Sequence, residues 1–99
     1  MAEFTYVDDA TGMAEFVSGR VKPVSVLKAT GANVVVFAFD AGSELREHTA
    51  HQPVMLQAIE GALAVQIAGE TYSLIPGDLL HIEPGVPHSV TTTERAKVQ

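Results

Sequence analysis

The 99-residue sequence has no cysteine, and only 6 of its residues are lysine or arginine. Without cysteine, the chain cannot contain a disulfide framework, a thiolate zinc site or a cysteine nucleophile. The six cations are scattered among 12 acidic residues, which gives a net charge of −6. A scattered minority of cations leaves no basic patch, so we expect neither a nucleic-acid nor an anionic-membrane partner.

Long apolar runs and targeting signals are also lacking. No apolar stretch approaches the ~18 residues that read as a membrane span. The acidic start of the chain, MAEFTYVDDA, has no basic segment followed by an apolar one. We therefore expect a cytoplasmic protein. Hydrophobic residues make up 46% of the chain and charged residues 18%, so it is expected to fold. At this length a single domain has a thin core, and a thin core favours a homodimer.

Short apolar segments separated by glycine and proline follow one another from about Val21. Residues 34–39 (VVVFAF) give the strongest strand signal, and residues 62–74 predict a hairpin that turns at Ala68-Gly69. Strands that recur about every 8–12 residues, without a long helical pattern, predict an all-β sandwich or barrel. We expect one domain, with residues 1–20 as an N-terminal arm and residues 21–99 as the barrel. Its interior is predicted to contain Val34, Val36, Leu56, Ala58, Leu63, Val65, Ile67, Leu80 and Ile82 or their strand neighbours.

Three of the four histidines lie in two segments that could meet. His48 and His51 precede the apolar residues 54–59 (VMLQAI), and His88 ends a segment bracketed by proline and glycine, residues 83–88 (EPGVPH). Imidazole nitrogen is the commonest protein ligand for metal ions near neutral pH. We therefore expect the fold to bring the two segments together around a site.

The two segments resemble the two motifs of the cupin family. The first motif runs from a glycine through His-X-His and a glutamate to a second glycine, and the second runs from a glycine through Pro-X-Gly to a histidine. The resemblance implies a single-domain double-stranded β-helix, also called a jelly-roll barrel. Six framework positions match the motifs: Gly42, His48, Gly61, Gly77, Gly85 and His88.

The resemblance also implies a divalent metal ion held by three histidines and one glutamate. In this chain Ala50 stands at the position of the second histidine, and Val54 stands at that of the glutamate. His51 and Gln57 are the candidates to replace them. The expected cofactor is one transition-metal ion, Fe, Mn, Ni, Cu or Zn. The predicted ligands are His48, His51, His88 and Gln57.

Two strand registers are open for this set, because side chains alternate between the faces of a strand. If His48 points inward in a regular strand, Val54 also points inward, whereas His51 and Gln57 point outward. An extra residue just after His48 would reverse this and bring His51 and Gln57 inside. We favour this bulge, because bulges are common beside active sites and Pro53 already interrupts the ladder.

Two functions remain open, and each has a small molecule as the partner. The first is a metal-binding cupin with a histidine-based site in the barrel and dioxygenase-type or related small-molecule chemistry. The second is a non-catalytic module that binds or senses a small ligand and has a degenerate metal site. An apolar interior with a few polar groups is a normal ligand pocket. His81 and Met55 are the candidates to line the substrate pocket.

Overall fold

A computed structural model of the chain describes residues 4–98. This part contains one short 3₁₀ turn and nine strands, which confirms the all-β prediction. The turn spans Thr11–Met13. The strands are β1 (Val21–Ala29), β2 (Ala32–Phe39), β3 (Glu44–His48), β4 (Val54–Glu60), β5 (Leu63–Ile67), β6 (Glu70–Leu74), β7 (Leu79–Ile82), β8 (His88–Thr91) and β9 (Ala96–Val98).

The strands form two antiparallel sheets, in the jelly-roll arrangement that the sequence predicts. The five-stranded sheet has the order β1-β2-β9-β4-β7, and the four-stranded sheet has the order β3-β8-β5-β6. The predicted hairpin is the β5–β6 pair. Within the described range, no helix is long and apolar enough to cross a membrane.

The main hydrophobic core contains residues from both sheets. Phe39, Leu63 and Val65 are among its largest fully buried side chains. The following predicted interior residues belong to this core or pack against it: Leu56, Ala58, Leu63, Val65, Ile67 and Leu80. Ile82 is also buried.

On β2 the interior is lined by strand neighbours of the named residues, not by Val34 and Val36 themselves. Phe37 and Phe39 of β2 pack in or against the main core, so alternation places Val34 and Val36 on the other face of the sheet. There a second cluster forms around the buried Val36, and both Val34 and Phe16 of the arm pack against it. A strand that is apolar throughout carries no alternation, and the sequence therefore could not tell its two faces apart.

Short connections determine which strands lie across from each other. Residues 40–43 join β2 to β3, residues 61–62 join β4 to β5, and residues 75–78 join β6 to β7. Each of these connections crosses from one sheet to the other, so β3 lies over β2 and β5 lies over β4. Strand β8 lies between β3 and β5, and it therefore lies over β9.

The arm that precedes β1 is fastened to the five-stranded sheet by the side chains of the last strand and its connection. The Lys97 ammonium donates a hydrogen bond to the carbonyl oxygen of Thr11 at 3.1 Å. Phe16 lies against two cations, with its ring centroid 5.0 Å from Cζ of Arg95 and 5.2 Å from Nζ of Lys97. These contacts join the two ends of the chain.

Asp40 makes a further link between the arm and β9, and this link should depend on pH. Its carboxylate accepts hydrogen bonds from the backbone N–H of Gly19 at 2.7 Å and from Nε of Arg95 at 3.0 Å. The Gly19 bond above all, and then the Arg95 bond, hold the pKa of Asp40 below its ordinary value of 3.8. A lowered pKa in the folded state means that the ionised carboxylate stabilises the fold above pH 3.8. The stabilisation is lost as the pH falls through the folded-state pKa.

We therefore expect Asp40→Asn to lower the melting temperature near neutral pH. The difference from the wild type should shrink as the pH falls below 3.8. Thermal melts followed by circular dichroism at several pH values would measure both effects. A difference that stays constant down to about pH 2 would contradict this account of Asp40.

Candidate functional site

His48 and His88 lie side by side at one end of the four-stranded sheet. His48 ends β3, His88 begins β8, and the two residues are cross-strand partners. Their ring centroids are 4.2 Å apart, with 59° between the ring planes. His88 is only 3% exposed, whereas His48 is exposed. The structure thus brings together one histidine from each of the two motif segments.

The backbone fixes the orientation and the tautomer of both rings. Nδ1 of His48 lies 2.9 Å from the carbonyl oxygen of Arg46, and Nδ1 of His88 lies 3.0 Å from that of Val86. A carbonyl oxygen can only accept a hydrogen bond, so each Nδ1 carries a proton. In a neutral imidazole the other nitrogen, Nε2, then carries the lone pair. The site therefore presents two hydrogen-bond acceptors, on rings whose centroids are 4.2 Å apart.

The Nε2 atoms are available to a ligand. Within residues 4–98, neither ring has a hydrogen bond other than the one at Nδ1. In the same range, no fully buried side-chain nitrogen or oxygen lacks a hydrogen-bond partner. Nε2 of His88 must therefore keep some exposure, although the residue as a whole is almost completely buried.

An extra residue in β3 places His48 beside His88, but it lies before His48 rather than after it. Leu45 pairs with Val90, His48 pairs with His88, and the register shifts between these two pairs. The shift reverses the alternation once, so Leu45 and His48 can both face the interior. The pleat alone would place these two residues on opposite faces.

Residues 54–57 of β4 pair regularly with β7, so the register favoured from the sequence was wrong there; a shift in β4 lies later, between Ala58 and Glu60. Ala58 lies in the core and Leu56 packs against it, which places Val54 on the same inner face. Met55, by contrast, is 59% exposed. Gln57 shares its outward direction. The predicted bulge after His48 would have turned Met55 and Gln57 inward.

The predicted ligand set is not assembled around His48 and His88. Residues 4–98 contain no group of three or more His, Cys, Asp or Glu residues that could hold a metal ion. His51 is exposed in the loop between β3 and β4, and Gln57 belongs to the outer face of β4. Catalytic zinc sites use three protein ligands and structural sites use four. The two imidazoles therefore do not fit a resident metal ion by themselves.

The two candidate pocket residues, His81 and Met55, lie on the outer face of the five-stranded sheet. They are cross-strand partners on β7 and β4. The His81 side chain is 48% exposed, and its Nδ1 lies 3.7 Å from a carboxylate oxygen of Glu83. Because Leu56 and Leu80 on the same two strands pack against the core, His81 and Met55 point away from the interior.

A cleft of about 520 Å³ opens in the five-stranded sheet between β2 and β4. The sequence does not predict this cleft, because β2 and β4 are distant in the chain and come together only around β9. Its lining carries no charged side chain among the described residues. The lining comes from both faces of the sheet. Val35, Phe37, Val54 and Leu56 face inward, whereas Val34, Met55, Gln57 and Leu79 face outward, so Met55 lines this outer cleft rather than the barrel interior.

Comparison with known families agrees with the fold. The family model described as the cupin domain matches residues 35–99, which is more than half of the chain. The chain belongs to the cupin family. No curated protein matches its sequence.

Solved structures share the fold of this cupin. A conserved protein of unknown function from Streptococcus pyogenes is 22% identical, with a TM-score of 0.80 over 98% of this chain and 85% of its own. A cupin superfamily protein from Desulfitobacterium hafniense is 15% identical, with a TM-score of 0.81 over 99% and 89%. A salicylate 1,2-dioxygenase from Pseudaminobacter salicylatoxidans is 27% identical, with a TM-score of 0.63, over 67% of this chain and 19% of the dioxygenase.

Proposed function

We propose that this cupin is a small-molecule-binding module that holds a hydroxyl-bearing ligand between Nε2 of His48 and Nε2 of His88. The observation that carries the proposal is the pair of imidazole rings, 4.2 Å apart, with both Nδ1 atoms committed to backbone carbonyl oxygens. Two fixed acceptors side by side suit a ligand with two neighbouring O–H donors. This is the second of the two functions that the sequence leaves open.

The energetics favour a ligand that donates both hydrogen bonds. Nε2 of His88 keeps some exposure, so water can donate to it in the free protein. A ligand that covers this atom without donating a hydrogen bond would leave a buried acceptor unpaired, at a cost of about 1–3 kcal/mol. The backbone carbonyls hold both rings before the ligand arrives, so little side-chain entropy remains to be lost. Among the structures similar to this cupin, the salicylate 1,2-dioxygenase is named for an aromatic acid with one hydroxyl, which supports a hydroxylated aromatic ligand but not the second donor.

Catechol, with two adjacent hydroxyls, is the probe for this proposal, and 1,2-dimethoxybenzene is its partner without O–H donors. We expect catechol to bind and the dimethyl ether to bind at least about tenfold more weakly, because it can donate to neither Nε2. His48→Leu and His88→Leu should each weaken catechol binding by about tenfold.

The matched control is His81→Leu, which removes a histidine from the outer face and should leave catechol binding unchanged. Isothermal titration calorimetry on the four proteins measures these affinities. Equal binding of catechol and its dimethyl ether, or catechol binding that survives in His88→Leu, would contradict the proposal.

A metal-binding function is the second candidate, and one observation favours it. Histidines that bind metal usually donate their other ring N–H to a carbonyl or carboxylate, as both His48 and His88 do. A metal ion bound by their Nε2 atoms would act as a Lewis acid toward a ligand oxygen. The two histidines lack a third protein ligand for the metal ion. Because Val54 lies on the inner face of β4, a carboxylate introduced there would supply one.

We expect Val54→Glu to create a metal site, because Val54 lies on the inner face of β4 and at the position of the family glutamate. The variant should bind Zn²⁺ at least about tenfold more tightly than the wild type. Gln57→Glu adds the same carboxylate on the outer face and should leave the affinity nearly unchanged. Calorimetric titration with Zn²⁺ compares the three proteins. Tighter binding by Gln57→Glu than by Val54→Glu would show that Gln57, and not Val54, faces the two histidines.

The homodimer and the cytoplasmic location remain predictions. Exposed apolar side chains at Phe4, Tyr6, Met55 and Leu79 support self-association. Sedimentation equilibrium would measure it directly.

A further inference from the structure

We propose that Glu70 determines the specificity of the site, so that this cupin prefers aromatic diols that carry an ammonium group on a short carbon chain. The inference rests on the proposed function, in which the histidine pair binds the two hydroxyls. Glu70 is the residue that recognises the other end of the ligand.

Glu70 lies in one row with the two histidines, across the strands of the four-stranded sheet. His48 pairs with His88, and His88 pairs in turn with Ile67 on its other side. Ile67 then pairs with Glu70. Residues directly opposite each other in antiparallel strands present their side chains on the same face. Ile67 packs against the main core, so the whole row belongs to the inner face.

The order of groups along this row matches an amine that carries two hydroxyls. Neighbouring strands are about 4.8 Å apart, so the Cα atoms of His88 and Glu70 are roughly 9.6 Å apart. One hydroxyl cannot contact both side chains over this distance, but an aromatic ring with a two-carbon amine can. Ile67 lies between them and has no polar atom in its side chain, so it would contact the ring and the carbon chain.

The Glu70 carboxylate is available to a cation. Within residues 4–98, no lysine or arginine forms an ion pair with it, and its only hydrogen bond is the one that Oε2 accepts from the Tyr72 hydroxyl at 2.8 Å. This hydrogen bond is the main cause that raises the pKa of Tyr72 above its ordinary value of 10.0. Tyr72 therefore keeps its proton near neutral pH, and Glu70 remains an acceptor.

The rim of the sheet beside this row is open. A hollow of about 290 Å³ borders Ile67, Glu70 and Pro87, and it continues around the β5–β6 turn to Gln66 of the outer face. A charged group at Glu70 would thus keep part of its hydration, which reduces the cost of its desolvation.

The test compares 4-(2-aminoethyl)catechol with 4-ethylcatechol, which has the same ring and chain length but no charge. We expect the amine to bind the wild type about threefold more tightly at low ionic strength, because an exposed ion pair contributes only a little. Glu70→Gln should reduce this affinity ratio to about one. Glu70→Lys should reverse it, so that the amine binds about threefold more weakly. Isothermal titration calorimetry measures all of these affinities.

The matched control is Glu44→Lys, which makes the same change of charge on the outer face. Glu44 comes directly before Leu45, which packs against the core, so Glu44 points away from the interior. The threefold ratio should remain in this variant. All three variants should bind 4-ethylcatechol as the wild type does, and high salt should bring the wild-type ratio toward one.

Equal affinity of the wild type for the two catechols at low ionic strength would overturn the inference. A preference for the amine that survives in Glu70→Gln, or that Glu44→Lys abolishes equally well, would also overturn it. In each case 4-ethylcatechol binding that is lost in His88→Leu would still support the proposed function. If His88→Leu leaves 4-ethylcatechol binding unaffected, the proposed function fails, and this inference fails with it.

Discussion

Replacing Gly61 with alanine is expected to lower the free energy of unfolding by about 2–5 kcal/mol. Gly61 lies between β4 and β5 with φ of +71°, a conformation that costs other residues about 1–2 kcal/mol. An added Cβ would also lie 2.5 Å from the carbonyl oxygen of Arg95 and 3.0 Å from Cβ of Ala96. Because the first of these atoms belongs to the backbone, β9 itself would have to move, which adds about 1–3 kcal/mol.

Gly69→Ala is the matched control for this prediction. Gly69 also has a positive φ, of +77°, but an added Cβ would meet no atom within 4 Å. Gly69→Ala should therefore lower the free energy of unfolding only by the conformational cost of about 1–2 kcal/mol. Unfolding in urea would give both values. Equal losses for the two variants would show that the close approach of β9 to Gly61 contributes nothing to stability.

Phe39→Ala should have an effect of similar size, about 3–5 kcal/mol, because it empties the centre of the main core. The Phe39 side chain is 0% exposed and is among the largest fully buried side chains. Phe37, two residues earlier on the same face, is half-buried and borders the cleft. Phe37→Ala should therefore cost less than Phe39→Ala in the same urea experiment. The reverse order would place the core of the domain nearer the cleft than the structure does.

Much of the fold could be predicted from the sequence because the information is local. Glycine and proline mark the ends of the apolar segments, and the hairpin of β5 and β6 follows from alternating residues on either side of Ala68-Gly69. The side of β2 that faces the core could not be predicted, because Val34 to Phe39 are all apolar. The face that does not point to the main core packs instead against the arm, whose Phe16 lies against the cluster that contains Val36.

At the site, too, the features that depend on nearby residues could be predicted, whereas those that depend on a partner strand could not. The pairing of His48 with His88 followed from two motifs that can be read in the sequence. The position of the extra residue in β3 did not, because a bulge is defined only against the partner strand, here Val90 and His88 of β8. The bulge was therefore predicted after His48 instead of before it. With the bulge in the predicted position, Gln57 and Met55 would face the interior, whereas in the structure they face outward. The cleft was missed for a related reason, since it requires β9 to lie between two strands that are distant in the chain.

The central claim is that the two Nε2 atoms of His48 and His88 form the ligand-binding group. Long-range ¹H–¹⁵N correlation spectra of the histidine rings, recorded with and without catechol where the rings are neutral, test it most directly. We expect the ring proton on Nδ1 in both residues, and we expect the Nε2 resonances of His48 and His88 to shift on binding while those of His51 and His81 do not. A proton on Nε2 in either ring of the pair, or Nε2 resonances that catechol leaves unchanged, would contradict the claim.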